Sequence, residues 1–270
     1  MSQGPLLSLL HASAYKRVLA ITLAAIVLAG GGLFGPRLVH HFLRHPSATS
    51  HALTSAQLSV LTQVTPAPAT PDPLPSASAT PVVPRGSGLL QVPYTVQAPF
   101  NDWRVFENAC EEAALLMYHD FLQGDLRQVI PPSEAASQLR AMEQWQVVHW
   151  GADRDLDMQH TGLLAQQYYG YSFQVLPATR ENIEATIDAG HPVIVPAMTH
   201  SLLNPYYGAH TVYHEVLIKG YNGNGVVTND AGVMQGRNWL YSWSVLFSAI
   251  DAQTPKMHEG RQMLVVFKSS

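Results

Sequence analysis

One thiol stands in the 270 residues of this chain: Cys110, at the head of a segment that reads as a helix. A thiolate is a strong nucleophile toward carbonyl carbon, and the positive end of a helix dipole favours the thiolate. Two acids follow at once, Glu111 and Glu112. They suit the dipole, but as anions they oppose a thiolate beside them, so activation calls for a cationic partner. A small buried hydrophobe is the competing reading, since that is the common fate of free cysteine. A single cysteine also excludes an intrachain disulfide and any multi-cysteine metal site.

Thirteen histidines are available as partners, so a histidine is not a signal by itself. His214 differs by its place. It opens the apolar run Val216-Leu217-Ile218, ahead of the turn Gly220-Tyr221-Asn222-Gly223-Asn224, and the return strand closes on Asn229-Asp230. The two ends of an antiparallel hairpin face each other, which makes His214 and Asp230 neighbours. A carboxylate there would fix the imidazole tautomer and steady the imidazolium. The plain alternative is a strand histidine facing solvent and an aspartate opening a turn. Zinc is disfavoured: His210 and His214 have helical ligand spacing in a strand-like segment, and the position that would complete His-Glu-x-x-His is Ile218.

The elements that must position these groups follow from periodicity and punctuation. Residues 110–123 read as a helix on Ala113, Met117 and Phe121, stopped by Gly124. Pro132 starts a second helix running to Trp145, and 156–169 reads as a third. Residues 171–176 alternate as a strand, and Thr179 caps a helix over 180–189 that Gly190 closes. Strands are expected at 192–198, 211–219, 225–228 and 262–267, with a helix over 242–251. Residues 90–96 read as an edge strand interrupted by Pro93. Helices first and mostly strands afterwards is an α+β order.

Composition sets the outer limits. Charged residues are 13% of the chain and hydrophobic ones 47%, against about 25% charged in a usual soluble domain. Lys+Arg number 15 against 19 Asp+Glu, which excludes nucleic-acid binding through a basic surface. Residues 1–86 carry a net charge of +4 and residues 87–270 a net of −8. The uncharged run 18–34 follows Lys16-Arg17 and is read as a transmembrane anchor, after a short cytoplasmic lead over 1–17. A cleaved signal peptide and a buried core helix are the rival readings. Residues 35–88 are read as an extracytoplasmic linker rich in Pro, Ala, Ser and Thr, extended by its prolines. Residues 89–270 are left as the globular unit.

Several spaced blocks carry a family resemblance. Val92-Pro93-Tyr94-Thr95-Val96-Gln97, Trp103, Ala109-Cys110-Glu111-Glu112-Ala113-Ala114, Asn204-Pro205-Tyr206-Tyr207, Tyr213-His214-Glu215-Val216-Leu217-Ile218, Thr228-Asn229-Asp230 and Gly236-Arg237-Asn238-Trp239-Leu240-Tyr241 occur in this order. They resemble the bacterial C-thirty-nine-like cysteine peptidases, relatives of the double-glycine leader peptidases. The resemblance implies a papain-like α+β fold, with the nucleophile helix packed on an antiparallel sheet. It implies Cys110 as nucleophile, His214 as general base, Asp230 as the group orienting the histidine, and Gln97 as an oxyanion donor. The chain has Asp230-Ala231 where members usually have Asp-Pro, and it carries no transporter part. Cleavage after a double glycine therefore does not carry over.

The expected function is a membrane-anchored extracytoplasmic thiol hydrolase acting on a peptide or protein substrate. No cofactor, metal or nucleic-acid partner is implied, and the membrane is met through residues 18–34. A non-catalytic module that keeps the papain-like groove for binding is the alternative, with Trp103, Trp150, Tyr206, Tyr207 and Trp239 as candidate lining.

Overall fold

The valine and isoleucine runs of the second half of the chain form one antiparallel sheet in the computed structural model, which describes residues 50–62 and 88–269. In chain order its strands are β1 (Ser50–Ala52), β2 (Gly88–Leu89), β3 (Ser172–Pro177), β4 (Val193–Met198), β5 (Tyr213–Asn222), β6 (Gly225–Asn229), β7 (Arg237–Ser242) and β8 (Gln262–Phe267). They lie side by side in the order β1-β7-β6-β5-β4-β8-β3, with β2 paired to β5 off that path. The helices are α1 (Ser55–Thr62), α2 (Cys110–Leu122), α3 (Pro132–Trp150), α4 (Met158–Tyr169), α5 (Arg180–Asp188) and α6 (Trp243–Met257).

Strand alternation splits the core into two layers. Ile194, Leu217 and Leu264 join the apolar side chains of α2, α3 and α4. Val193, Val195, Val216, Ile218, Met263 and Val265 join those of α5 and α6. With side chains alternating along a strand, β4, β5 and β8 feed both layers, so they read as nearly continuous hydrophobic runs. The sheet is thus covered on both faces by helices, the α+β arrangement expected from the order of elements.

Local signals set most boundaries. Thr179 accepts from the Asn182 backbone N–H and caps α5, and Asp157 does the same for α4 through His160. Gly151 and Gly170 end α3 and α4 in the left-handed region, where glycine meets no Cβ penalty. Differences from expectation have physical causes. Residues 90–96 form no strand beyond a single bridge of Tyr94 to Val129, since Pro93 cannot donate to a ladder. The segment is held instead by the Asn229 side-chain amide, which donates to the carbonyls of Val92 and Pro93 at 3.1 and 3.0 Å. Helix α6 runs six residues past Asp251 and carries Pro255 inside.

Residues 50–62, inside the stretch read as linker, form β1 and α1, and β1 pairs antiparallel with β7. The Trp239 indole N–H donates to the Ser50 hydroxyl at 2.5 Å. The proline-rich residues 66–84 lie outside the described residues.

The membrane-spanning helix expected as part of the fold is corrected. No helix among the described residues is long and apolar enough to cross a membrane. The one helix of nineteen residues, α3, interrupts its apolar positions with Glu134, Arg140 and Glu143. Residues 18–34 themselves lie outside the described residues.

Candidate active site

Asp230 is the best-connected side chain of the site. It follows β6 and is fully buried. Its Oδ1 accepts from His214 Nε2 at 2.9 Å, from the Tyr207 hydroxyl at 2.6 Å and from the Gly232 backbone N–H at 3.0 Å. Its Oδ2 accepts from the Tyr241 hydroxyl, which in turn accepts from the Asn204 side-chain amide at 2.9 Å. Burial pushes the Asp230 carboxyl up, but the hydrogen bond and charge of His214 and the two tyrosine hydroxyls prevail and hold it below the usual carboxylate range. It is therefore an anion with every donor around it in use. The same anion, together with burial, pushes the Tyr207 and Tyr241 hydroxyls well up, so both stay protonated and able to donate.

Glycine is required at two positions here. A Cβ at Gly236 would lie 1.8 Å from the Asp230 carbonyl oxygen, and one at Gly232 would lie 2.3 Å from the Tyr207 hydroxyl. At Gly236 the close backbone approach excludes a larger residue, and at Gly232 a side chain would displace the Tyr207 ring from Asp230.

His214 is placed as the hairpin argument predicts: β5 and β6 run antiparallel and bring it to Asp230. Its ring also meets Tyr207, with centroids 5.8 Å apart. Nε2 is taken by Asp230, which leaves Nδ1 as the nitrogen free for chemistry. Tyr207, Tyr241 and Asn204 come from blocks that the resemblance singled out. Periodicity could not show that these blocks, far apart in the chain, converge on one carboxylate.

Cys110 begins α2, which packs on β5, and it is 2% exposed. Its Sγ donates to Glu111 Oε2 at 2.9 Å, and among the described hydrogen bonds none joins it to His214. Burial pushes the thiol well up, and the nearby charges of Glu111 and Glu215 add to the rise. The cationic partner that the sequence called for is not what the acids meet.

Glu111, Glu112 and Glu215 are all buried. Glu111 Oε1 accepts from the Leu156 backbone N–H at 2.7 Å. Glu112 Oε1 accepts from the Gln146 side chain, and Glu215 Oε1 accepts from Thr161 at 2.7 Å and Tyr213 at 3.3 Å. One oxygen each of Glu112 and Glu215 has no partner. Burial is the first cause of the rise in all three, taking Glu111 to about 8 and the other two well up. Glu215 shares its parity on β5 with Leu217 and so faces the layer of α2 and α4, whereas His214 shares parity with Val216.

Gln97 ties two parts of the site together. Its backbone N–H donates to the Ala231 carbonyl at 2.8 Å. Its Nε2 donates to the carbonyls of Phe106 and Glu107, both at 3.1 Å, in the loop that leads into Cys110. Both amide hydrogens are thereby used, and donation to an oxyanion requires that one of these bonds be given up. Of the aromatics read as groove lining, Trp239 and Tyr207 are buried, while Tyr206 and Trp103 are exposed. Among the described residues no group of three or more His, Cys, Asp or Glu side chains is placed to hold a metal ion.

The site thus combines an antiparallel sheet, a cysteine-headed helix packed on it and a His–Asp pair on a central hairpin. The family model described as "Peptidase_C39 like family" matches residues 89–246, and the chain belongs to that family. Among solved structures the chain is similar to a Bacillus anthracis crystal structure that carries the provisional description of a C39-like peptidase. Identity is 15%, the TM-score is 0.46, and the match covers 68% of this chain and 98% of that one. No curated protein matches the chain.

Proposed function

We propose that this chain is a cysteine peptidase, acting on peptide or amide bonds of a peptide or protein substrate. Cys110 is the nucleophile, His214 the group that carries protons to and from the reacting atoms, and Asp230 the carboxylate that orients it. The observation that carries this reading is the 2.9 Å hydrogen bond between His214 Nε2 and Asp230 Oδ1, within a family named for peptidases.

In this mechanism Sγ gives its proton to a base of the site as it attacks the scissile carbonyl, the C–S bond forms and the carbonyl electrons move to oxygen. His214 gives a proton to the leaving amine, and an acyl-thioester remains. Water then attacks the thioester while His214 takes its proton. In this reading the backbone N–H groups at the start of α2 serve the developing oxyanion, and Gln97 joins them once it releases a carbonyl.

The test is turnover of a peptide library by the full chain against the Cys110→Ser variant, read by mass spectrometry. Cleavage by the wild type and none by the variant is the expected result. A wild type that cuts nothing, and whose Cys110 resists an acylating probe, overturns the reading. The alternative of a binding module on the same scaffold then stands, favoured by the burial of Cys110 and His214, each 2% exposed.

A further inference from the structure

We propose that Glu111 is a second base of this site: it takes the Cys110 proton as the thiol attacks, and His214 serves the leaving amine and the water. The inference rests on the peptidase reading and concerns who removes the first proton. Glu111 Oε2 is 2.9 Å from Sγ and accepts its hydrogen, whereas His214 makes its recorded hydrogen bond to Asp230. The Leu156 N–H on Oε1 holds the carboxylate in that position.

Charge conservation favours this route. The groups that act on the Cys110–Glu111 pair are Glu112 from α2, Glu215 and Tyr213 from β5, and Asp155 from the segment before α4. Tyr207 also bears on Cys110; the cation near this group, Lys256 of α6, is committed to Asp155 at 2.5 Å and lies over the Tyr213 ring. Glu259, after α6, bears on Glu215. At alkaline pH, where Glu111 is ionised, passing the thiol proton to His214 would leave a thiolate against that anion inside this cluster. Passing it to Glu111 moves one negative charge by a bond length and leaves the buried total unchanged. Burial of Glu111 also lifts its basicity to about 8, nearer than an exposed carboxylate to the thiol that burial pushes well up, and a base closer to its donor in basicity is the more effective one.

The step balances. S–H breaks and O–H forms on Glu111; C–S forms and the carbonyl π pair goes to oxygen. In this cycle His214 has to enter carrying a proton on both ring nitrogens, and it gives one to the departing nitrogen. In the second half His214 takes a proton from water, the thioester C–S bond breaks, and the departing sulfur recovers its proton from Glu111.

Iodoacetamide alkylation of Cys110 tests this without any peptide, so it can fail while the peptidase reading stands, and the reverse. Wild type, Glu111→Gln, Glu111→Asp and His214→Ala are compared from pH 5 to 10 on the full chain, each first checked by thermal melt. Glu111→Gln should slow alkylation at pH 9, where the wild-type carboxyl is ionised, by about tenfold, and Glu111→Asp should recover part of the loss, since the base is kept. A carboxylate that merely opposes the thiolate acts with the other sign, because removing it would speed alkylation. A rise in Glu111→Gln, or a fall of less than threefold, overturns the proposal. If Glu111→Gln does not fold, wild type and His214→Ala decide. Coincident alkylation profiles with an inflection near pH 8 support the second base, and a displacement of the His214→Ala profile to higher pH overturns it.

Discussion

Two buried carboxylate sites lie within one small region and have opposite fates. Asp230 sits among four donors and stays ionised. Glu111, Glu112 and Glu215 have at most two donors each, leave two oxygens bare and are driven toward their neutral forms. Burial alone does not decide the charge of an acid; the number of hydrogen bonds aimed at it does. In the proposed chemistry the two sites divide the labour. The satisfied one holds a histidine still, and the unsatisfied one is free to take and return a proton.

The largest expected effect comes from breaking the satisfied site. Asp230→Ala removes the acceptor of two hydroxyls, a backbone N–H and an imidazole, and breaking such a buried pair costs about 3–5 kcal/mol. Denaturant unfolding measures it, and a loss below about 1 kcal/mol would mean the network adds little beyond packing.

Next comes the pH dependence of stability, where the two sites have opposite signs. Glu111 is raised to about 8 in the folded chain, against about 4.3 when unfolded. Its contribution is therefore complete at the acid end and is lost as the pH rises toward 8. Glu143 and Glu259, each raised to about 7 by burial, act in the same direction. Asp230 is lowered, so its contribution is present above an unfolded value of about 3.9 and is lost as the pH falls through its folded value. Glu111→Gln should flatten the fall in melting temperature between about pH 5 and 8, and Asp230→Asn should flatten only the acid limb. Equal changes on both limbs would erase the distinction.

Smaller effects sharpen it. Tyr207→Phe deletes one hydroxyl from Asp230 and should cost about 1.5–3 kcal/mol, as for a hydrogen bond to a charged group. It should also let the Asp230 carboxyl drift upward, read from the acid limb of the melting curve. Thr161→Val deletes the shorter donor to Glu215 and should cost about 1 kcal/mol, since a mostly neutral carboxyl loses less. If Thr161→Val costs more than Tyr207→Phe, Glu215 is the more strongly ionised of the two acids.

Much of this was legible because it is local. The His214–Asp230 pair sits across a single hairpin, whose turn glycines and asparagines mark it in the sequence. Thr179 announces α5 in the same way. The unexpected parts are long-range. Nothing near Tyr207 or Tyr241 says that both hydroxyls end on Asp230, since three separate loops and strands have to meet first. Glu111 and Glu112 stand one and two residues past the cysteine, where exposed first-turn acids are ordinary. Their partners are the Leu156 backbone N–H, from the segment before α4, and the Gln146 side chain of α3, both far along the chain. Strand β7 lies in a block that the family resemblance marked without giving it a conformation.

The short strand β1 has a practical side. It occupies the outer edge of β7, and it lies upstream of residues 89–246, the part that matches the family. A chain trimmed to begin at residue 88 would bare the β7 row of amides and carbonyls from Arg237 to Ser242. Such a row is a template for a second molecule. Where the polypeptide is cut thus decides its colloidal behaviour: material retaining Ser50–Thr62 keeps that edge paired, and material without it is prone to edge-to-edge self-association.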